Sequence, residues 1–292
     1  MNHLHRPWRV GARLLMLGAS MLSVACHAGE PVRAQSREPQ PLLTAPCVKK
    51  VPVPFKFEGY NDKLVDACLG PAHFRIPANY FRSQMGPDFE GYFSLLVQWP
   101  DLQPLAPGKR LNQDMATQRR QITITPVYVD RVPIETRLDA SVEPPTYVYP
   151  ADGDSPTMRL RDRDRQPERH GLTPYYVNEA LYDAYINGPR REKPSEPPAS
   201  TRNTRDWFLA RDAQGRLTTV IKCSSHLDPD GLVLRGSELV REGSGTNADC
   251  QQEFIIPELK VWVSIAYPRA LLPHWPRLEA RARELFKQYR VR

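Results

Sequence analysis

Apolar residues along this chain gather in short runs that suit strands better than long helices. Tyr92 opens a block that continues through Phe93, Leu95, Leu96, Val97 and Trp99, dense enough for a strand buried on both faces. Over residues 121–129, Ile122 and Ile124 alternate with threonines until Pro126 breaks the phase, the pattern of a half-buried strand near a sheet edge. Residues 132–138 form a weaker strand candidate. Tyr175, Tyr176 and Val177 open a further apolar stretch, and residues 179–186 suit a brief helix.

The C-terminal part is easier to read. Trp207-Phe208-Leu209, a turn at Asp212-Ala213-Gln214-Gly215 and residues 217–223 make a β-hairpin, with glycine where the turn needs an unusual φ. Residues 231–240 suit a strand or an irregular loop. Between Gln252 and Tyr267, Phe254 and Ile256 keep one phase, and Leu259, Val261, Val263 and Ile265 keep the other, with Pro257 at the switch. From Trp275 the apolar positions are Leu278, Ala282, Leu285, Phe286 and Tyr289, the stripe of an amphipathic helix with Pro276 in its first turn. These elements predict an α+β fold, mainly antiparallel sheet with the C-terminal helix packed on one face.

Proline placement divides the chain. The thirty prolines fall unevenly and mark segments that cannot be regular helix. Residues 26–45 read as a flexible tether and residues 188–205 as an exposed loop or linker. The remaining blocks, 46–187 and 206–292, form either one large domain or two sheet-based lobes. Residues 1–25 read as an export signal: Arg6, Arg9 and Arg13, then an apolar run, then Ser23-Val24-Ala25 before Cys26. Cys26 is then a lipidation site, with cleavage just before it. Signal-peptidase cleavage after Ala28 and an uncut anchor are the alternatives, although the apolar run of about a dozen residues is short for a bilayer core needing roughly 20. His27, where an inner-membrane retention signal has Asp, points to the outer membrane and a periplasmic location.

Removing the leader leaves Cys47, Cys68, Cys223 and Cys250, an even number in an oxidising compartment, and hence two disulfides. Sequence separation favours Cys47 with Cys68 and Cys223 with Cys250. A zinc site or a catalytic thiol would need CxxC spacing or grouped histidines, and His73, His170, His226 and His274 are scattered. Of the formal charge of +7, three units belong to Arg6, Arg9 and Arg13, so a mature chain carries +4. So mild a balance suits an acidic partner or anionic lipid better than nucleic acid. The cluster Arg159, Arg161, Arg163, Arg165 and Arg169 is interspersed with Asp162, Asp164 and Glu168 and reads as a solvated loop or exposed strand.

Catalytic strings are missing: there is no GxSxG elbow, HExxH or glycine-rich phosphate loop. Ser224-Ser225-His226 sets hydroxyls beside an imidazole, but neighbours on an extended chain point to opposite faces. Asp228, Asp230 and Gly231 only begin a calcium loop. A binding protein without catalytic residues, metal or cofactor is the expectation. An envelope lipoprotein with a structural role and a hydrolase with a dispersed site are the alternatives.

Two stretches carry a resemblance. Phe74-Arg75-Ile76-Pro77-Ala78-Asn79-Tyr80-Phe81 with Trp99-Pro100-Asp101-Leu102, and the C-terminal series Trp207, Cys223, Cys250, Phe254, Pro257 and Trp275, resemble immunity proteins of type VI secretion lipase effectors. That resemblance implies a periplasmic or membrane-anchored protein that binds a cognate phospholipase effector and blocks it. An arginine or aromatic anchor from residues 158–168 or 188–205 would be inserted in the enzyme cleft.

Overall fold

In the computed structural model, alternating side chains build an eight-stranded sheet in which every neighbouring pair is antiparallel. The structure describes residues 60–83, 86–87, 91–145, 155–187, 204–243 and 247–291. The leader, Cys26, the tether, Cys47 and most of the 188–205 segment lie outside them. All described residues belong to one compact unit, Leu43–Arg292, and the other unit, Met1–Leu42, is outside them altogether.

In chain order the elements are β1 (Leu64–Leu69), β2 (Ala72–Pro77), β3 (Leu95–Gln98), α1 (Met115–Arg119), β4 (Gln121–Tyr128), α2 (Arg137–Val142), β5 (Arg163–Arg165), β6 (Thr173–Val177) and α3 (Glu179–Asn187). They continue with β7 (Arg205–Arg211), β8 (Leu217–Ser224), β9 (Leu232–Arg235), β10 (Glu238–Arg241), β11 (Asp249–Ile256), β12 (Val261–Pro268) and α4 (Trp275–Tyr289). The main sheet runs β3-β4-β12-β11-β8-β7-β6-β5, and β1-β2 and β9-β10 are separate hairpins. β4 pairs with β12 and β6 with β7, so strands from both sides of residues 188–205 share one sheet.

Pro126 does not break the strand. Ile122, Ile124 and Pro126 are all buried, and the alternation runs through β4. The Val129 N–H donates to Lys260 on the β12 side and the Tyr128 N–H to Gly91 on the β3 side. Alternation thus aims the missing donor of Pro126 at the β3 side, where the regular strand begins only at Leu95. The weak strand candidate at 132–138 is instead a 3-10 turn, Ile134–Thr136, leading into α2, where Leu138 and Val142 are the buried pair. The β7–β8 hairpin is as its turn chemistry dictates: Asp212 Oδ1 accepts from the Gln214 and Arg216 N–H groups, and Gly215 takes φ +79°.

One face of the sheet carries the principal core. Ile122, Ile124, Val261, Val263, Ile265, Phe254 and Ile221 pack there beneath α4, which buries Leu278, Ala282, Leu285 and Phe286. The segments that resemble immunity proteins hold this helix. Phe74 and Phe93 meet Phe286 at ring-centroid distances of 6.2 and 6.5 Å. Arg277 and Arg281 donate to the Pro100 and Leu102 carbonyls at 2.5 and 3.1 Å. The β1–β2 hairpin turns at Gly70, where φ is +55° and an added Cβ would lie 2.4 Å from the Tyr128 ring, so only glycine fits.

Cys223 and Cys250 face each other across β8 and β11 and are disulfide-bonded, with Cα atoms 4.0 Å apart. Cys68 is also disulfide-bonded. No helix among the described residues is long and apolar enough to cross a membrane.

Candidate functional site

Strand parity places Arg205, Trp207 and Leu209 of β7 and Val220 and Lys222 of β8 on the face opposite α4. α2 covers part of this face, packing Leu138 and Val142 against Trp207, Leu209 and Val220. Between α2, α3 and the turn Pro156–Met158 remains a cavity of about 610 Å³, with Ser141, Arg163, Tyr182, Arg205, Trp207 and Lys222 in its wall.

The cavity is cationic. The Arg163 guanidinium carbon lies 3.8 Å and the Lys222 Nζ 4.7 Å from the centroid of the same Trp207 ring. Arg163 Nη1 donates to the Arg205 carbonyl at 2.8 Å and Nη2 to the Thr157 carbonyl at 2.6 Å. Lys222 Nζ donates to the Ser141 carbonyl at 2.7 Å, and Arg205 Nη2 donates to Asp249 Oδ2 at 3.0 Å. Burial lowers Arg163 to about 10, with the Asp206 charge opposing the shift. Burial also lowers Lys222, as do the neighbouring Arg163, Arg137 and Arg205, against Glu253.

The arginine cluster is therefore not the uniformly solvated loop its composition implied. Arg159 and Arg163 are buried, because carbonyl groups satisfy their donors: Arg159 Nη1 reaches the Pro144 carbonyl at 3.0 Å. Arg161, Arg165 and Arg169 are exposed.

A second, smaller cavity of about 310 Å³ lies around Asp206 and His226. Asp206 Oδ2 accepts from the His226 backbone N–H at 2.5 Å and sits 2.8 Å from His226 Nδ1, while the imidazole stacks on Tyr176 at 4.0 Å. The two serines flanking this imidazole in sequence turn elsewhere. Ser224 Oγ donates to Asp249 at 3.0 Å, and buried Ser225 accepts from the Leu227 N–H at 3.2 Å. Among the described residues neither serine is hydrogen-bonded to His226, so the carboxylate–imidazole pair has no hydroxyl nucleophile in line. The Asp228–Gly231 segment wraps a guanidinium: Arg269 reaches Asp230 Oδ1 at 2.6 Å and the Asp228 carbonyl at 2.5 Å. Among the described residues no three His, Cys, Asp or Glu side chains are grouped to hold a metal ion.

Burial pushes the Asp206 carboxyl up from its ordinary 3.8, against the hydrogen bonds from His226 and the charge of Arg163. Its folded-state pKa exceeds the unfolded one, so the native state binds the extra proton between the two values, and stability from this group falls as pH rises through that window. In urea titrations carried upward in pH from the ordinary carboxylate value of 3.8, the wild type is expected to lose a contribution that Asp206→Asn does not lose. Identical pH slopes for the two proteins would remove this assignment.

No protein-family model matches the chain, and no curated protein matches it. Among solved structures, it is similar to an immunity protein of the Stenotrophomonas maltophilia type IV secretion system. The two share 36% identity and superpose with a TM-score of 0.68, over 80% of this chain and 95% of that one. The system named for that protein is type IV, where the sequence resemblance implied type VI. Identity at this level over nearly the whole relative makes the kinship more than a shared fold: the chain belongs to the family of that secretion-system immunity protein.

Proposed function

We propose that this chain is an exported, non-catalytic immunity protein that binds a toxic effector in the periplasm and neutralises it. The observation that carries this reading is the 36% identity to an immunity protein over 95% of that protein's length. The secretory pattern of residues 1–25, the four thiols after it and the buried cross-strand disulfide suit an oxidising compartment. The relative makes a type IV machine the first delivery system to try. The resemblance of residues 74–81 and 99–102 to lipase-effector immunity proteins makes a phospholipase the first effector class. Acylation of Cys26 would hold the protein at the outer membrane, and Cys26→Ser should then move it from the membrane to the soluble fraction.

The test is co-expression with the effector encoded beside it, directed to the periplasm. Full rescue of growth and a 1:1 complex are expected, and both should disappear when this chain is kept in the cytoplasm. Unchanged toxicity with no complex would sink the proposal.

A further inference from the structure

We propose that the Trp207 cavity receives an acidic side chain from a protruding loop of the effector. This inference rests on the immunity reading and names where and by what chemistry the partner is held. Four cations, Arg137, Arg163, Arg205 and Lys222, are close enough for three of them to disfavour the charge on the fourth. Two stand against one indole, and Arg137 lies 4.4 Å from the Trp262 ring centroid. Three carboxylates answer them: Asp206, hydrogen-bonded to His226, whose charge acts on Arg163, together with Asp249 and Glu253. Asp249 is already engaged by Arg205 and by Ser224, and Glu253 is buried, with Oε2 lacking a hydrogen-bond partner among the described residues. A surplus of positive charge in a half-enclosed, low-dielectric recess is costly alone and strongly favours an incoming carboxylate.

Donors are left for it: among the described residues Lys222 gives one of its three N–H groups to the Ser141 carbonyl, which leaves two for an incoming carboxylate. Tyr182 and Ile186 of α3 supply an apolar wall for the residues flanking the carboxylate. Aromatic and cationic side chains in a recessed pocket are the composition of an interface hot spot. The recess lies between α2 and α3, which a projecting loop can enter and a planar lipid surface cannot.

Binding of the purified effector by calorimetry tests the proposal. Lys222→Met is expected to weaken binding roughly 10- to 100-fold and to flatten its salt dependence, while Lys222→Arg stays within about threefold of wild type. Lys287→Ala, exposed on α4 at the other face of the sheet, should bind like the wild type. In the wild-type complex the Lys222 amine should be acetylated at least about tenfold more slowly than in the free protein, with exposed Lys260 unchanged. This labelling measurement needs no variant to fold. A folded Lys222→Met that binds with wild-type affinity, or unprotected Lys222 in the complex, overturns the proposal and leaves the immunity reading standing. Inorganic phosphate that quenches Trp207 fluorescence without competing against effector would show a free-anion pocket and also overturn it. If the wild type fails to bind the effector at all, the immunity reading itself fails.

Discussion

Truncating Phe286 to alanine is expected to lower the unfolding free energy by about 3–5 kcal/mol. Phe286 is 2% exposed and holds α4 to the sheet through edge-on contact with Phe74 and a tilted contact with Phe93. The loss combines the transfer free energy of the ring, the cavity left among aromatic neighbours that cannot collapse, and the geometric preference of the ring pairs, about 0.5–1.5 kcal/mol each. At roughly 2–4 °C per kcal/mol for a domain of this size, thermal unfolding should move down by roughly 6–20 °C. Phe286→Leu should lose much less, and Lys287→Ala, exposed one position on, should stay within about 0.5 kcal/mol. A Phe286→Ala protein within about 1 kcal/mol of wild type would mean that α4 is not what seals the core.

The helix that Phe286 anchors was legible because burial and sequence period coincide: Leu278, Ala282, Leu285 and Phe286 are the apolar stripe and are the buried residues. The same holds for β7–β8, where glycine chemistry sets the turn, and for β11 and β12, where Pro257 marks the reversal. What escaped the reading depends on contacts distant in the chain. β1 lacks clean alternation although β2 keeps it, and the turn between them is shaped by Tyr128, 58 positions after Gly70. Residues 132–138 carry apolar residues for a strand, but Leu138 and Val142 are spaced for a helical face.

The candidate site was hidden for a related reason. Arg163 sits in an alternating-charge segment that looks solvated, and the carbonyls of Thr157, Tyr175 and Arg205 and the Trp207 ring make its burial tolerable. Asp206 and His226 lie 20 residues apart and meet across a strand pair. A signal was nonetheless present. In a strand as apolar as β7, parity puts Asp206 with Phe208 and Ala210 and so on the core face, where a carboxylate must find donors. Parity also puts Lys222 with Val220, opposite Ile221 and Cys223, which places a lysine beside Trp207 on the second face.

Removing the Cys223–Cys250 disulfide by Cys223→Ala with Cys250→Ala should cost about 3–4 kcal/mol, read as a lower urea midpoint with a similar slope. The bond closes a loop of sequence separation 27, and the chain-entropy relation for a loop of that length gives this magnitude. Both cysteines are fully buried, between β8 and β11 at the middle of the eight-stranded order, so the pair pins the register on which the positions of Lys222, Trp207 and Asp206 depend. A one-residue slip there would send Lys222 to the α4 face and Ile221 to the cationic one. The double variant isolates this bond from the one made by Cys68, which chemical reduction of the wild type would break as well. Reduction should therefore cost more than the double substitution. A loss below about 1 kcal/mol in the double variant would mean that backbone pairing and the apolar core set the register unaided, and that the bond serves resistance to proteolysis instead.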